Sequence, residues 1–400
     1  MGWFLVLQQL ISRSPDLKRL RDEGYNLEIR AGFLLVKDVP YVNAKKEIQR
    51  GILVARLVLA GDVTTRPDDH VAHFIGDHPC HEDGKEIEQI KNQSTRHELA
   101  SGVVIGHTFS AKPKPNDFYE DYYAKVTTYV AILSGPAQAI DPAITAKTFA
   151  PIVAVAEEEI VFNYIDTASS RAEIDVAMRK LALGKIAIVG LGGTGSYILD
   201  LVAKTPVKEI HLFDKDDYLQ HNAFRSPGAP SVEELHAKPR KVAYLKGMYA
   251  KMHRGIVAHE IYIDAENIEQ LRQMDFVFLC LDSGTAKKLI VEKLEEFGIS
   301  FIDVGMGIYM DEELLGGALR ITTSTPEQRD RARARIPFSD GNGHNEYARN
   351  IQIADLNALN AALAVIKWKK LFGFYLDCEH EDHSTYTIEL HLLTKEDQCL

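Results

Sequence analysis

The stretch KIAIVGLGGTGSYILDLVAK, residues 185–204, decides the fold. Its first five residues are branched and apolar, as in a strand buried on both faces, and they run directly into Gly190-Leu-Gly192-Gly193-Thr-Gly195. Helical spacing follows over 194–203. A strand, a glycine turn and a helix in that order form a phosphate cradle. The glycines let the backbone approach an anion, and the helix start offers free N–H groups and the positive end of its dipole. The competing reading is that the glycines only allow tight helix–strand packing. Asp214 closes the next strand about 20 residues further on, where a carboxylate can accept hydrogen bonds from ribose hydroxyls. At this point NAD and ATP fit equally well.

Outward from that stretch the pattern alternates. Strands are expected at 185–189, 209–213, 258–263, 275–281 and 300–304, and helices at 194–203, 239–252, 268–273 and 285–297. Such alternation specifies a mostly parallel sheet with crossover helices, an α/β Rossmann-like domain taken as residues 165–400. An amphipathic helix over 167–183, capped by Ser and Thr, opens it, and a packing helix over 353–371 comes late. Residues 1–150 read as a separate α+β domain. Ser14-Pro15-Asp16 is a helix start and Gly24 a stop. Strands are expected at 27–36 and 51–59 with a turn at 38–43, then short strands and loops to Asn116. A helix over 119–133 follows, with Tyr122, Val126, Tyr129 and Ile132 or Leu133 on one face.

The residues after Asp214 separate the nucleotide readings. Asp214-Lys-Asp216-Asp-Tyr-Leu-Gln-His-Asn222-Ala-Phe-Arg225 closely resembles the D-x-D…N-x-x-R element of the superfamily that contains ThiF, MoeB and the ubiquitin-activating enzymes. The likeness continues through Lys241 and the strand ending in Asp282. It implies a ThiF-type adenylation domain that uses ATP and Mg2+ to adenylate the C-terminal carboxylate of a ubiquitin-like protein. By this resemblance Gly190, Gly192, Gly193 and Gly195 cradle the phosphates and Asp214 holds the ribose. Asn222 and Arg225 contact the triphosphate, Lys241 or its neighbour Arg240 the phosphates at the reacting centre, and Asp282 the magnesium. Asp216 orders the loop or assists the metal. Arg171, or less favourably Arg179, reaches the γ-phosphate, often from the other subunit of a homodimer. Attack of a carboxylate on the α-phosphate brings anions together, so preorganised cations are what the chemistry requires. The bland reading of the same residues is a solvated loop with surface ion pairs.

Several positions depart from the family pattern. Ser226, Ser283 and Lys287 replace common family residues, and the two C-x-x-C pairs that hold structural zinc in MoeB-like members are absent. No cysteine lies between Asp282 and Asp377, so an internal thioester would need Cys378, Cys399 or Cys80; Cys280 reads as core. Simple adenylation, or transfer straight to a downstream conjugating protein, is favoured. The arginines of 328–335, leading to Gly341-Asn-Gly-His344, either dock an acidic tail or pair with Glu327 and Asp330. Activation of a small or tRNA-linked carboxylate, and a non-catalytic scaffold, are the alternatives.

In the first domain, His73, His78, Cys80 and His81 match no strong zinc spacing. The segment is loosely similar to the His-Pro segment of ubiquitin-conjugating enzymes, which would make Cys80 an acceptor. Gly106–Pro113 and Asp121–Tyr129 resemble the domain of uncharacterised function found ahead of ThiF-like domains in bacterial ubiquitin-like operons. Cys378-Glu-His380-Glu-Asp-His383 reads as an acidic turn before a final strand.

With 46% hydrophobic and 26% charged residues, the 400-residue chain is globular rather than disordered. A net charge of −11 gives no footprint for nucleic acid. Four cysteines without paired spacing fit a reducing compartment, the cytoplasm. The apolar opening Met1–Leu7 lacks the features of a signal peptide, Val6 breaks the myristoylation pattern, and no membrane segment is expected.

Overall fold

Ala31 and Gly32, with φ of 47° and 81°, fold the first apolar run back on itself. The single strand expected at 27–36 is therefore a hairpin of β1 (Asn26–Arg30) and β2 (Phe33–Val42), because two successive positive φ values make the tight turn whose twist matches antiparallel strands. The computed structural model describes residues 10–152, 160–172, 174–282, 284–338 and 351–395, and the chain divides into two units, 1–157 and 158–400.

In the first unit the turn expected at 38–43 is a register shift inside β2, where Asp38 takes a φ of 61°. The chain reverses later, where Asn43 Oδ1 accepts the N–H groups of Lys45 and Glu47 ahead of β3 (Ile48–Arg56). β4 (Leu59–Ala60) and β5 (Val63–Thr64) form a small hairpin, followed by β6 (Val71–Ile75), β7 (Lys91–Gln93), β8 (His97–Ala100), β9 (Val103–Ile105) and β10 (His107–Ser110). The main sheet is antiparallel, in the order β1-β2-β3-β6-β10-β7. The helix Tyr122–Ile140, capped by Asp121, lays Tyr122, Val126, Tyr129 and Leu133 wholly buried into the core beside the sheet. It continues past the expected end at Leu133 and through Pro136. Helix Pro15–Asp22 begins where expected, but Ser14 Oγ accepts from Thr64 N–H at 3.0 Å instead of capping its own helix.

In the second unit the helix expected at 167–183 is two short ones, Thr167–Arg171 and Asp175–Arg179. Asp166, not a Ser or Thr, caps the first. β11 (Lys185–Val189), β12 (Glu209–Phe213), β13 (Ile256–His259) and β14 (Phe276–Leu279) pair in parallel, joined by the first residues of β15 (Phe301–Asp311). β13 lies earlier than the expected 258–263, because Ile256 pairs with Ile210 and residues 260–263 leave the sheet. β15 runs well beyond the expected 300–304 and turns back as β16 (Leu314–Ser324), which carries β17 (His383–Thr387) and β18 (Leu392–Lys395) on its far side. The sheet order is β13-β12-β11-β14-β15-β16-β17-β18, parallel on one side and antiparallel on the other. Helices Gly193–Val202 and Ala354–Leu371 cover one face with Ile198, Leu199, Ala361, Ala364 and Trp368. No helix among the described residues is long and apolar enough to cross a membrane.

Candidate active site

The carboxyl ends of the parallel strands open into a cavity of about 570 Å³, the place where open α/β sheets bind ligands. Gly190, with φ of 91°, makes the turn out of β11; a Cβ there would sit 2.5 Å from the carbonyl oxygen of Cys280. Gly192 caps the following helix, and Gly193 and Gly195 begin it, all against the cavity.

Asp214, at the end of β12, is 5% exposed and holds this turn in place: its Oδ2 accepts from the Leu191 N–H at 2.7 Å and its Oδ1 from the Asp216 N–H at 2.8 Å. Lys241, at the start of helix Lys241–Tyr249, is buried and places Nζ 2.6 Å from Asp216 Oδ2 and 3.8 Å from Asp214 Oδ2. Burial works against the charged Asp216 carboxylate, but the bonds from Lys241 and Tyr262 outweigh it and hold its pKa below the usual range. The Tyr262 hydroxyl is correspondingly pushed up to about 12, foremost by its bond to Asp216. Arg240, the other reading of the lysine position, turns outward to the Lys215 carbonyl and Asp217, and only Lys241 lines the cavity.

Arg225 also lines the cavity, and its buried Nε has no hydrogen-bond partner among the described residues. A buried guanidinium N–H left unpaired is costly, and a phosphate oxygen is the acceptor that its planar fork fits. His221 nearby is held below its ordinary pKa by burial and then by the charges of Arg225 and Lys241. Asp282 stands exposed at the rim, just beyond β14. Among the described residues no group of three or more His, Cys, Asp or Glu is arranged to hold a metal ion by itself. A magnesium ion would need phosphate oxygens beside one or two carboxylates, which Asp282 and Asp216 can supply.

Besides Arg240, three expected residues do not line this cavity: Asn222, Arg171 and Arg179, the last an exposed residue at the end of helix Asp175–Arg179. Asn222 is 3% exposed, and its Oδ1 accepts from the Leu219 N–H at 2.8 Å, bracing the loop that carries Arg225. Arg171 is an exposed residue at the end of its short helix. Conversely, the cavity includes Tyr262, Gln352, Asn357 and Asn360, which sequence reasoning passed over. The two asparagines interrupt an apolar helical pattern, and that interruption was the available signal. Below the cavity, wholly buried Asp303 on β15 pairs with Lys287 Nζ at 2.9 Å and Arg320 Nη2 at 2.6 Å.

Cys80 and Cys280 are poorly placed as nucleophiles. Cys80 is wholly buried and donates to the His78 carbonyl; burial first, then the acidic Glu86, Asp83 and Asp77, raise its thiol pKa. That contradicts its reading as an acceptor, since the thiolate is the nucleophile. Cys280 sits just past the end of β14, at the cavity wall rather than within the strand core, and burial raises its pKa steeply. Cys378 is exposed, and Cys399 lies outside the described residues. Of the 328–335 arginines, Arg331 pairs with Asp382 at 3.0 Å and Arg333 with Glu295, neither the anticipated Glu327 nor Asp330. The loop at 341–345 and Ser283 lie outside the described residues.

Two family models match the chain: "Domain of unknown function (DUF6791)" over residues 15–167 and "ThiF family" over residues 159–318. Among solved structures, PaaA is similar at 17% identity and a TM-score of 0.44, over 58% of this chain and 80% of its own. E. coli MccB with MccA-N7isoASN is similar at 14% identity and a TM-score of 0.44, over 57% of this chain and 67% of its own. E. coli tRNA N6-threonylcarbamoyladenosine dehydratase, TcdA, is similar at 18% identity and a TM-score of 0.38, over 51% of this chain and 92% of its own. No curated protein matches the chain.

Proposed function

From a chain whose residues 159–318 form a ThiF-family domain, a family of ATP-using adenylyltransferases, we propose that this protein adenylates the C-terminal carboxylate of a ubiquitin-like protein. The observation that carries the reading is the convergence of the glycine turn, Asp214, Lys241 and Arg225 on one cavity, with the buried Arg225 Nε lacking a protein partner.

In this reading the ribose lies toward Asp214 and the phosphates toward the helix start at Gly193, Arg225 and Lys241. A substrate carboxylate oxygen attacks the α-phosphorus, the bond from that phosphorus to the bridging oxygen breaks, and pyrophosphate leaves. Arg225 and Lys241 stabilise the charge that develops, and the helix N-terminus adds its dipole. Lys241 exchanges its contact with Asp216 for phosphate oxygen, which frees Asp216. Asp282, with Asp216 once freed, would hold Mg2+ beside the phosphates, and the ion would there supply charge neutralisation. No covalent step on this chain is required, in keeping with the burial and raised pKa of Cys80 and Cys280. Residues 165–400 carry the adenylation. Arg171 would serve the γ-phosphate only from the second subunit of a homodimer.

Pyrophosphate exchange into ATP tests the proposal, using the full chain, magnesium and a small ubiquitin-like protein encoded beside it. Exchange that needs the intact C-terminal glycine and disappears in Asp282→Ala is the expected result. Exchange supported by a small carboxylate or a tRNA-linked one would replace the substrate; none at all, with ATP still binding, would make the protein a scaffold.

A further inference from the structure

Helix Ala354–Leu371 buries Ala361, Ala364, Val365 and Trp368 in the core, yet it also carries two asparagines one turn apart, Asn357 and Asn360, that are 1% and 0% exposed and line the cavity. Burying an amide is unfavourable unless its groups are bonded, so these residues have a task other than filling space. Asn360 donates to the Gly305 carbonyl on β15 at 3.1 Å.

Asn357 joins two walls of the site. Its Oδ1 accepts from Thr194 Oγ1 at 2.9 Å, inside the glycine turn, and its Nδ2 donates to the backbone carbonyl of Arg225 at 3.3 Å. The two partners fix the amide's orientation, because a carbonyl can only accept and must face the NH2 group. The side chain is packed so closely on the turn that a Cβ on Gly193 would lie 2.0 Å from Nδ2. Arg225 itself is held through its main chain: its N–H donates to the Asn222 carbonyl at 3.0 Å and its carbonyl accepts from Asn357, while Nε has no partner among the described residues.

We propose that Asn357 is a positioning residue that sets the Arg225 guanidinium relative to the glycine turn, so that both meet the same phosphates. The assignment rests on the reading that this cavity binds ATP through Arg225. A helix that only packed would leave that register to the 214–240 segment alone; the amide ties it to the turn.

The test is a double-mutant cycle on ATP affinity, measured by calorimetry on the full chain with magnesium. Asn357→Asp keeps the shape and the acceptor for Thr194 and removes the donor to the Arg225 carbonyl. The loss with Arg225 present is expected to exceed the loss in the Arg225→Ala background by about tenfold, the worth of one buried hydrogen bond, since any repulsion from the new carboxylate acts in both. Equal losses in both backgrounds overturn the proposal, because repulsion between the new carboxylate and the phosphates would act with or without Arg225. An Arg225→Ala variant that binds ATP as the wild type does overturns the underlying nucleotide reading instead, and the proposal with it. Should Asn357→Asp fail to fold, Thr194→Val loosens the same amide from its other end, and the same coupling to Arg225 is expected at a smaller size; its absence overturns the proposal.

Discussion

Asp303→Asn should destabilise the second unit while changing nothing at the surface. Asp303 is wholly buried on β15 between Lys287 Nζ at 2.9 Å and Arg320 Nη2 at 2.6 Å, so one anion serves two cations. At an effective dielectric constant of about 20, a pair 2.9 Å apart attracts by about 6 kcal/mol before desolvation is subtracted. Breaking a buried pair by removing one partner costs about 3–5 kcal/mol, because the other charge stays behind. The two cations differ in what remains to them. Arg320 keeps Thr322 Oγ1 at 2.9 Å and the Arg335 carbonyl at 3.2 Å, whereas Lys287, 4% exposed, loses its ion-pair partner. The cost therefore falls mainly on Lys287, left buried without its counter-ion, and because Arg320 keeps two other acceptors about 3 kcal/mol is expected, the lower end of that range. Trp368, wholly buried in this unit, reports its unfolding by fluorescence once Trp3 is replaced by Phe. With a urea dependence of about 3 kcal/mol per molar, the midpoint should fall by about 1 M. Adding Lys287→Met should recover most of the loss, since a neutral side chain of similar length needs no anion. A midpoint for Asp303→Asn within about 0.2 M of wild type, or no recovery in the double variant, would refute the reasoning.

Gly193→Ala places a methyl group 2.0 Å from Asn357 Nδ2 and must displace that amide from both its bonds, for a loss of about 2–4 kcal/mol in urea unfolding, and Asn357→Gly added to it should restore part of that loss. A thiol reagent such as Ellman's should modify exposed Cys378 rapidly in the native protein and leave Cys80 untouched until urea is added; prompt loss of the Cys80 thiol, read by mass spectrometry, would contradict its burial. Stability should fall as the pH drops from about 7 to 5. Burial lowers the folded-state pKa of His73, His107, His253 and His259, so below about 6.5 the unfolded chain binds protons that the folded one refuses. At His253 burial outweighs the Nε2 bond to the Val207 carbonyl at 2.8 Å, which favours the charged form, while Nδ1 accepts the Gly255 N–H at 3.0 Å. A flat urea midpoint between pH 7.5 and 5.5 would contradict this.

Much of the site was legible because its chemistry is carried by short local patterns. The glycine turn and Asp214 sit at the ends of two neighbouring parallel strands, and Asp216 and Arg225 follow closely along the chain, so short-range spacing brings them to one cavity. Local patterns misled where turn chemistry competed with apolar periodicity. The run 27–36 reads as one strand until Ala31 and Gly32 adopt positive φ, and 167–183 reads as one helix although it breaks between Arg171 and Asp175. Asn222 shows a subtler limit: its motif position pointed to the triphosphate, while its amide oxygen accepts from the Leu219 N–H, a bracing role that spacing does not reveal.

What the sequence determined by itself was the strand–helix alternation from Lys185 to Val304 and the glycine turn after its first strand, because each follows from residues close along the chain. Tertiary structure alone decided which of Arg240 and Lys241 faces the cavity, since adjacent residues at a helix start point in different directions. It decided too that Asn357, far along the chain, grips the glycine turn, and that Asp303 joins Lys287 to Arg320 beneath it. Cys80 belongs to the same class. A thiol's reactivity depends on its surroundings, and burial in the fold, which no spacing encodes, makes this one inert.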